Sequence, residues 1–296
     1  MKVFAALLMF LLITSCAPKP EPIVDQATVV AKNASLRLKK SSTSRTLKLL
    51  ETGERVDVLE RQDHWYRVRY GSDIEGWMEE STVVTSERRN RIQQLVAASR
   101  NQEAQNTAVL KQDANLRLEP GRSTAIIRRL DSGTKVEVLD RVTLPRPGST
   151  SHDAWLKVRL KATEVGWVLT AALEFDIPAG IAPYSEEYTY AAVRPVSQVH
   201  DPVAGDMNWY VIGERRPSHD PNVDFEGIRV FTWNAKRQRY ETAFRTKGLR
   251  GVYPLEVGRD GANPTFRVYE LGEDGATKIP RDFEMYGVIV RSKKDS

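Results

Sequence analysis

The chain of 296 residues has one cysteine, Cys16. It therefore forms no internal disulfide, and no cysteine nucleophile is available beyond that position. Histidine is scarce too: His64, His152, His200 and His219 stand singly in different segments. Zinc hydrolase sites draw on three protein ligands, with histidines commonly paired at short spacing, and no such pair is present. The best grouping, His200-Asp201 with His219-Asp220 and Asp224, lies beside Pro202 and Pro221. It reads as turn residues, so no metal site is expected. Also missing are a Gly-x-Ser-x-Gly elbow, a Ser-x-x-Lys with a later Lys-Thr-Gly, and a phosphate-cradling glycine loop. Paired carboxylates for glycan cleavage leave no motif, and nothing singles out any of the 39 acidic residues. The expectation is a protein with no catalytic residues and no cofactor. The apolar run Val3 to Ile13 reaches only ~17 Å as a helix, short of a ~30 Å hydrocarbon core, and reads as an export signal rather than a membrane span. Charge of one sign is not in large excess. The 44 basic and 39 acidic residues leave +5, a mildly basic surface that favours anionic partners without naming one.

What is present begins at the amino terminus. Lys2, the apolar run and the pair Thr14-Ser15 make residues 1–15 a secretory signal. The sequence Ile13-Thr14-Ser15-Cys16 resembles the lipobox of bacterial lipoproteins. That resemblance implies that Cys16 is acylated and becomes the first mature residue, and several acyl chains anchor stably where one is marginal. Ala17, rather than Asp, follows the cysteine, which by the same resemblance implies the outer membrane, facing the periplasm. Residues 16–26, with Pro18, Pro20 and Pro22, read as a stiff tether.

One stretch is then written twice. Leu36-Arg37-Leu38 returns as Leu116-Arg117-Leu118, Gly53 as Gly133, and Val56-x-Val58-Leu59 as Val136-x-Val138-Leu139. Trp65 returns as Trp155, Val68-Arg69 as Val158-Arg159, and Gly76-Trp77 as Gly166-Trp167. The offset is 80 up to Leu139 and 90 from Trp155 onward, so the second copy carries a ten-residue insertion. Its segment Val142 to Asp153 contains Pro145, Pro147 and Gly148 and is expected to be a loop. Apolar and polar residues alternate within each copy, the period of half-buried strands, and the two glycines precede strands where a turn needs a permissive backbone. Short strands without a helix pattern argue for a small barrel.

These landmarks resemble the bacterial SH3 domain family, over residues 27–84 and 107–174. The resemblance implies a binding module, commonly for cell-wall peptide, that does no chemistry itself. The second copy keeps the family-like opening Asn115 to Gly121, whereas the first has Lys39-Lys40-Ser41-Ser42 in place of the Pro-Gly turn. The first keeps Trp65, Tyr66 and Tyr70, where the second has Trp155 with Leu156 and Leu160. Aromatic side chains supply rigid contact area with a polar tip, so Trp65, Tyr66, Tyr70 and Trp155 are the candidate ligand-binding residues here, with the first copy favoured. Trp77 and Trp167 are expected to plug the cores.

Between the copies, residues 85–106 change character. Ile92, Leu95, Val96 and Ser99 form an i, i+3, i+4, i+7 stripe, and Ser86 is a reasonable N-cap, which predicts a helix of about twenty residues and ~30 Å. Residues 175–187, around Ile177-Pro178-Ala179-Gly180, read as a linker. Residues 188–296 predict an all-β domain, a single sheet or sandwich, with strands near 188–193, 209–214, 228–233, 240–245, 252–257, 266–271 and 285–290. A hairpin turn is expected at Asn234 to Arg237. Its basic and aromatic positions, Trp209, Tyr210, Trp233 and Tyr240 with Arg237 and Arg239, are expected on the surface. Arg237 and Arg239 join the candidate ligand contacts, for an anionic partner in the envelope; export argues against nucleic acid.

The whole predicts an all-β protein: two SH3-like barrels joined by a short helix, then an antiparallel β domain. The expected role is a non-enzymatic envelope lipoprotein that binds peptidoglycan or an envelope protein and holds to the membrane through Cys16. One alternative is a structural or assembly lipoprotein with a purely protein partner. Another is an envelope enzyme with a metal or carboxylate site in residues 188–296.

Overall fold

The computed structural model describes residues 21–185, 187–217 and 220–293. The chain divides into two compact units, 1–89 and 90–296, with the division falling inside a helix. Cys16 and the proposed signal lie outside the described residues. Among the described residues, no helix is long and apolar enough to cross a membrane.

The first unit is one seven-stranded antiparallel sheet. Its strands are β1 (Asp25–Val29), β2 (Ala34–Arg37), β3 (Thr46–Leu50), β4 (Arg55–Gln62), β5 (Trp65–Tyr70), β6 (Ile74–Glu79) and β7 (Val83–Thr85), in the order β3-β2-β6-β5-β4-β1-β7. Alternation turns Val56, Val58, Tyr66, Val68 and Met78 inward onto Leu36 and Leu50. The β4–β5 register shifts between Val58 and Glu60, a bulge that buries Leu59 directly after Val58. Gly53 has φ +97°, as a turn before β4 needs.

The helix α1 (Ser86–Ser99) follows. Its cap is Thr85 rather than Ser86: the Arg88 N–H donates to Thr85 Oγ1 at 3.2 Å. Ser86 instead donates its hydroxyl to the Gln26 carbonyl at 3.1 Å. Fourteen residues give about 21 Å of helix, shorter than expected, because the chain beyond Ser99 turns back on itself. The stripe Ile92, Leu95, Val96 and Ser99 is indeed the less exposed face.

The second unit repeats the first sheet and adds another. Strands β8 (Asn106–Leu110), β9 (Ala114–Arg117), β10 (Ile126–Leu130), β11 (Lys135–Pro145), β12 (His152–Lys161), β13 (Glu164–Leu169) and β14 (Leu173–Asp176) take the order β10-β9-β13-β12-β11-β8-β14, element for element that of the first unit. The bulge recurs between Val138 and Asp140. The insertion, however, is mostly strand. Pairing continues to Pro145 opposite His152, which leaves only 146–151 as a loop. Val142, Thr143 and Leu144 are β-compatible residues that extend the hairpin outward.

The remaining strands are β15 (Thr189–Asp201), β16 (Gly205–Arg215), β17 (Phe225–Asn234), β18 (Arg239–Asp260), β19 (Asn263–Leu271), β20 (Lys278–Tyr286) and β21 (Ile289–Ser292). They pair in chain order, a single antiparallel meander. The two strands expected at 240–245 and 252–257 are one 22-residue strand, β18, whose register shifts let it continue past Gly248 and Gly251. The β17–β18 hairpin pairs Trp233 with Tyr240, and Asn234 Oδ1 accepts the backbone N–H groups of Lys236 and Arg237 at its turn.

The β8–β14 sheet and the meander share one hydrophobic core, which runs from Leu110, Val138 and Val158 to Phe225, Ile228 and Leu255. Polar groups join the two as well. The Gln105 carbonyl accepts from Val193 N–H at 2.8 Å, its Oε1 accepts from Leu255 N–H at 2.6 Å, and Asn106 Nδ2 donates to the Tyr190 carbonyl at 2.9 Å. Arg141 Nη1 donates to Asp224 Oδ1 at 3.1 Å and to the carbonyls of Pro221 and Val223, with both charged side chains buried. The Pro-Gly-Ala stretch read as a linker packs on the meander: Ile181 is fully buried, and a Cβ on Gly180 would lie 2.6 Å from the Tyr240 ring.

Candidate binding surfaces of the two repeats

Two features are identical in both repeats and explain sequence landmarks as structural. Arg37 Nη1 donates to the Ser44 carbonyl at 2.9 Å, and Arg117 Nη1 donates to the Thr124 carbonyl. The repeated arginine therefore staples the loop after the second strand. The repeated Gly-Trp has an equally local cause. A Cβ on Gly76 would lie 2.6 Å from the Arg37 carbonyl oxygen, and one on Gly166 would lie 2.6 Å from Leu116 Cγ. Only glycine lets the strands approach so closely. Trp77 and Trp167 are not the core plugs expected of them. The alternation that buries Met78 and Val168 turns both indoles outward, where they are half-buried.

On β5 the outward residues are Trp65, Arg67 and Arg69, opposite Glu79, Trp77 and Glu75 on β6. Arg67 is caged by carboxylates: Glu60 at 3.2 Å, Glu75 at 3.3 Å, and Glu21 from the segment that precedes β1. Glu21 is held below the usual carboxylate range by its bond from Arg67. Trp65 is half-exposed. Tyr66 points into the core, 4% exposed, and burial pushes its phenol up, so its hydroxyl stays neutral. Tyr70 donates to Glu54 Oε1 at 2.6 Å under the Lys48 ammonium, 4.4 Å from its ring.

The homologous face of the second repeat is covered by its own chain. Arg159 Nη1 donates to the carbonyls of Ser99 and Gln102, both at 3.1 Å, and so caps the C-terminal end of α1. Lys157 lies 5.5 Å from the Trp167 ring and reaches Gln102 Oε1 at 3.4 Å. Trp155 is 3% exposed and Leu118 5%, against 51% for its counterpart Leu38.

A further repeated landmark, absent from those named above, accounts for part of this difference. An aspartate stands two residues before each tryptophan, Asp63 and Asp153, and grips the loop after the second strand. In the first repeat the grip is one surface pair, Lys40 Nζ to Asp63 at 2.8 Å. In the second, Arg122 and Arg146 converge on a buried Asp153 at 2.7 and 2.8 Å, and Arg122 with Arg146 holds its carboxyl down at about 2 despite the burial. Arg146 comes from the insertion. The spacing Asp-x-Trp was visible in the sequence.

In the meander, Arg237 and Arg239 are exposed and both bond Glu241, at 2.8 and 3.2 Å. Asn234, which donates to the same carboxylate, and then those ion pairs hold Glu241 at about 2. Of the aromatic residues expected beside them on the surface, Tyr240 is internal, and Trp209, Tyr210 and Trp233 are half-buried. Tyr240 is 6% exposed, and Trp233 and Tyr210 pack on it at 5.2 and 6.0 Å between ring centres. Trp233 Nε1 donates to Asp201 at 2.8 Å, and the same carboxylate accepts from Gln238 and the N–H groups of Val203 and Ala204. These bonds hold Asp201 at about 2 and leave it no lone pair for a metal. His200 is exposed and paired with Asp206, Asp224 belongs to Arg141, and His219 lies outside the described residues. Among the described residues, no group of three potential metal ligands comes together.

Residues 32–84 and 112–174 each match the bacterial SH3 domain family. No curated protein matches the chain. Among solved structures, NlpC1 from Trichomonas vaginalis aligns over 92% of this chain and 92% of its own, at 12% identity and a TM-score of 0.19. NlpC2 from the same organism aligns over 90% of this chain and 96% of its own, at 14% identity and a TM-score of 0.19.

Proposed function

We propose that this protein is a non-enzymatic cell-envelope lipoprotein, held to the membrane through an acylated Cys16, whose SH3-like repeats bind peptidoglycan. The observation that carries the reading is the pair of bacterial SH3 matches, in a chain whose amino terminus resembles a lipoprotein signal. The first repeat is the wall-binding one. Its Trp65 is only half-buried beside Arg67 and Arg69, where Trp155 is enclosed, and Leu38 is open to solvent where Leu118 is buried. Exposed aromatic and apolar surface of this kind suits the flat faces of a peptide or sugar. The second repeat, sealed by Asp153 and fused to the meander through a common core, acts as scaffold.

Co-sedimentation of the detergent-solubilised chain with purified sacculi tests this reading. Retention that falls on Trp65→Ala and is unchanged by Arg239→Gln is expected. No retention at low salt, where basic contacts are strongest, overturns wall binding. Radiolabelled palmitate incorporation that survives Cys16→Ala would overturn the anchor.

A further inference from the structure

The second unit contains a groove of about 860 Å³ between the C-terminal half of α1 and strands β8, β11 and β12. That volume falls within the ~300–1,000 Å³ typical of ligand sites. We propose that it docks a short acidic segment of a protein partner, with aliphatic side chains between its carboxylates.

Charge is the first support. Arg100, Lys135 and Lys161 line the groove as exposed cations, and none makes an ion pair among the described residues. The two acids at the groove are engaged: Glu137 is bound by Arg159 at 2.6 Å, and Asp176 accepts from the Thr107 hydroxyl at 3.5 Å. The helix end facing the groove would normally repel an anion, but the Arg159 guanidinium already caps its carbonyls. Four cations against two carboxylates leave the lining of this one cleft at +2.

The floor is the second support. Val96 and Leu160 are half-buried apolar side chains with no polar atom to satisfy. No aromatic ring lines the groove, so a sugar has nothing to stack on, and a bare phosphate polymer would leave the floor unused. Carboxylates spaced by aliphatic residues match both features.

The first repeat gives the third support. There the chain continues from the last strand into α1, which sets Ser86 on the Gln26 carbonyl and Arg89 Nη2 on Thr28 Oγ1 at 2.8 Å. In the second repeat the chain runs on from Asp176 without such a helix, and the equivalent residues Thr107 and Val109 line the groove.

The proposal does not depend on wall binding. Its test is fluorescence anisotropy of the full chain with a fluorescein-labelled hexapeptide of alternating glutamate and leucine. Saturable binding that weakens with salt is expected, with no binding of the alternating lysine–leucine peptide. The variant R100Q/K135Q/K161Q should lose about tenfold in affinity, and R237Q/R239Q none. Hydrogen exchange on the unaltered chain should show protection of 96–100 and 158–163 when the peptide is added, a readout independent of any variant's folding. Absence of saturable binding, equal loss in both variants, or protection elsewhere overturns the assignment. Dextran sulfate binding as tightly, with the same dependence on the variant, would show a site that reads charge alone and would overturn the peptide.

Discussion

The two repeats have the same strand order, the same bulge, the same stapling arginine and the same crowded glycine, yet equivalent side chains meet different fates. Arg61 is exposed and pairs with Glu80, while its counterpart Arg141 is buried against Asp224 and ties the second repeat to the meander. Leu38 is half in solvent and Leu118 is buried; Asp63 is exposed and holds one lysine, whereas Asp153 is buried and holds two exposed arginines. A β-fold of this size sets which face a residue occupies. What lies against that face sets whether the residue is core, clasp or contact. The repeat that shares a core with the meander encloses Trp155 and Leu118, and the first repeat leaves Trp65 and Leu38 less buried.

That comparison breaks first at the arginine pair. Arg141→Ala is expected to destabilise the second unit by about 4 kcal/mol, because it leaves the buried Asp224 carboxylate without its paired guanidinium, whereas Arg61→Ala stays within about 0.5 kcal/mol. Urea denaturation followed by hydrogen-exchange mass spectrometry reads the two units separately, and equal effects would refute the contrast. Burial raises the Asp224 carboxyl above its unfolded value, so the folded protein takes up a proton more readily there than the unfolded chain. The deficit of Arg141→Ala is therefore greatest at neutral pH and shrinks as the pH falls through the raised value.

Next come the tryptophans. Trp155→Ala should cost about 3 kcal/mol, since its ring is enclosed, and Trp65→Ala about 1 kcal/mol together with wall retention. Thermal unfolding monitored by near-UV circular dichroism measures the first, and sacculus co-sedimentation the second. Should Trp155→Ala abolish retention while leaving the unfolding temperature unmoved, the roles of the repeats are reversed.

Asp153→Asn should cost about 1–2 kcal/mol, reduced by the exposure of the two arginines. The carboxyl is held at about 2, below its unfolded value near 3.9. Its contribution is thus present above about pH 4 and disappears as the pH falls from there to about 2. Acid titration of stability should show that limb in the native chain, and Asp153→Asn should flatten it. Asp63→Asn should flatten it less, because the Lys40 pair is exposed. The smallest effect belongs to the meander: Arg237→Gln with Arg239→Gln should leave the unfolding midpoint where it is.

Much of this architecture was legible. The period-two pattern located most strands, because alternation is imposed by the pleat itself, and the doubled landmarks located both repeats. The short helix was legible in its stripe but not in its end, since nothing in Arg100 to Gln105 marks the turn back from Ser99. The insertion read as a loop from Pro145, Pro147 and Gly148, yet only 146–151 is loop. Proline at a strand end removes one donor without ending the pairing that precedes it. Trp233 and Tyr240 looked like surface residues of a hairpin because basic residues flank them. Packing from a distant part of the chain, Ile181 and Tyr210, makes Tyr240 core and leaves Trp233 half-buried against it.

By itself, the sequence determined the local geometry: strand periods, the turns at Gly53 and Gly133, and the duplication. These follow from backbone sterics and side-chain alternation, which act over a few residues. Only the tertiary structure decided which of the repeated tryptophans and leucines are enclosed, that the second repeat and the meander share a core, and that β8 borders a cationic groove. Those outcomes depend on contacts between residues eighty to a hundred and fifty positions apart, such as Arg141 with Asp224 and Gln105 with Leu255, and no local pattern encodes them.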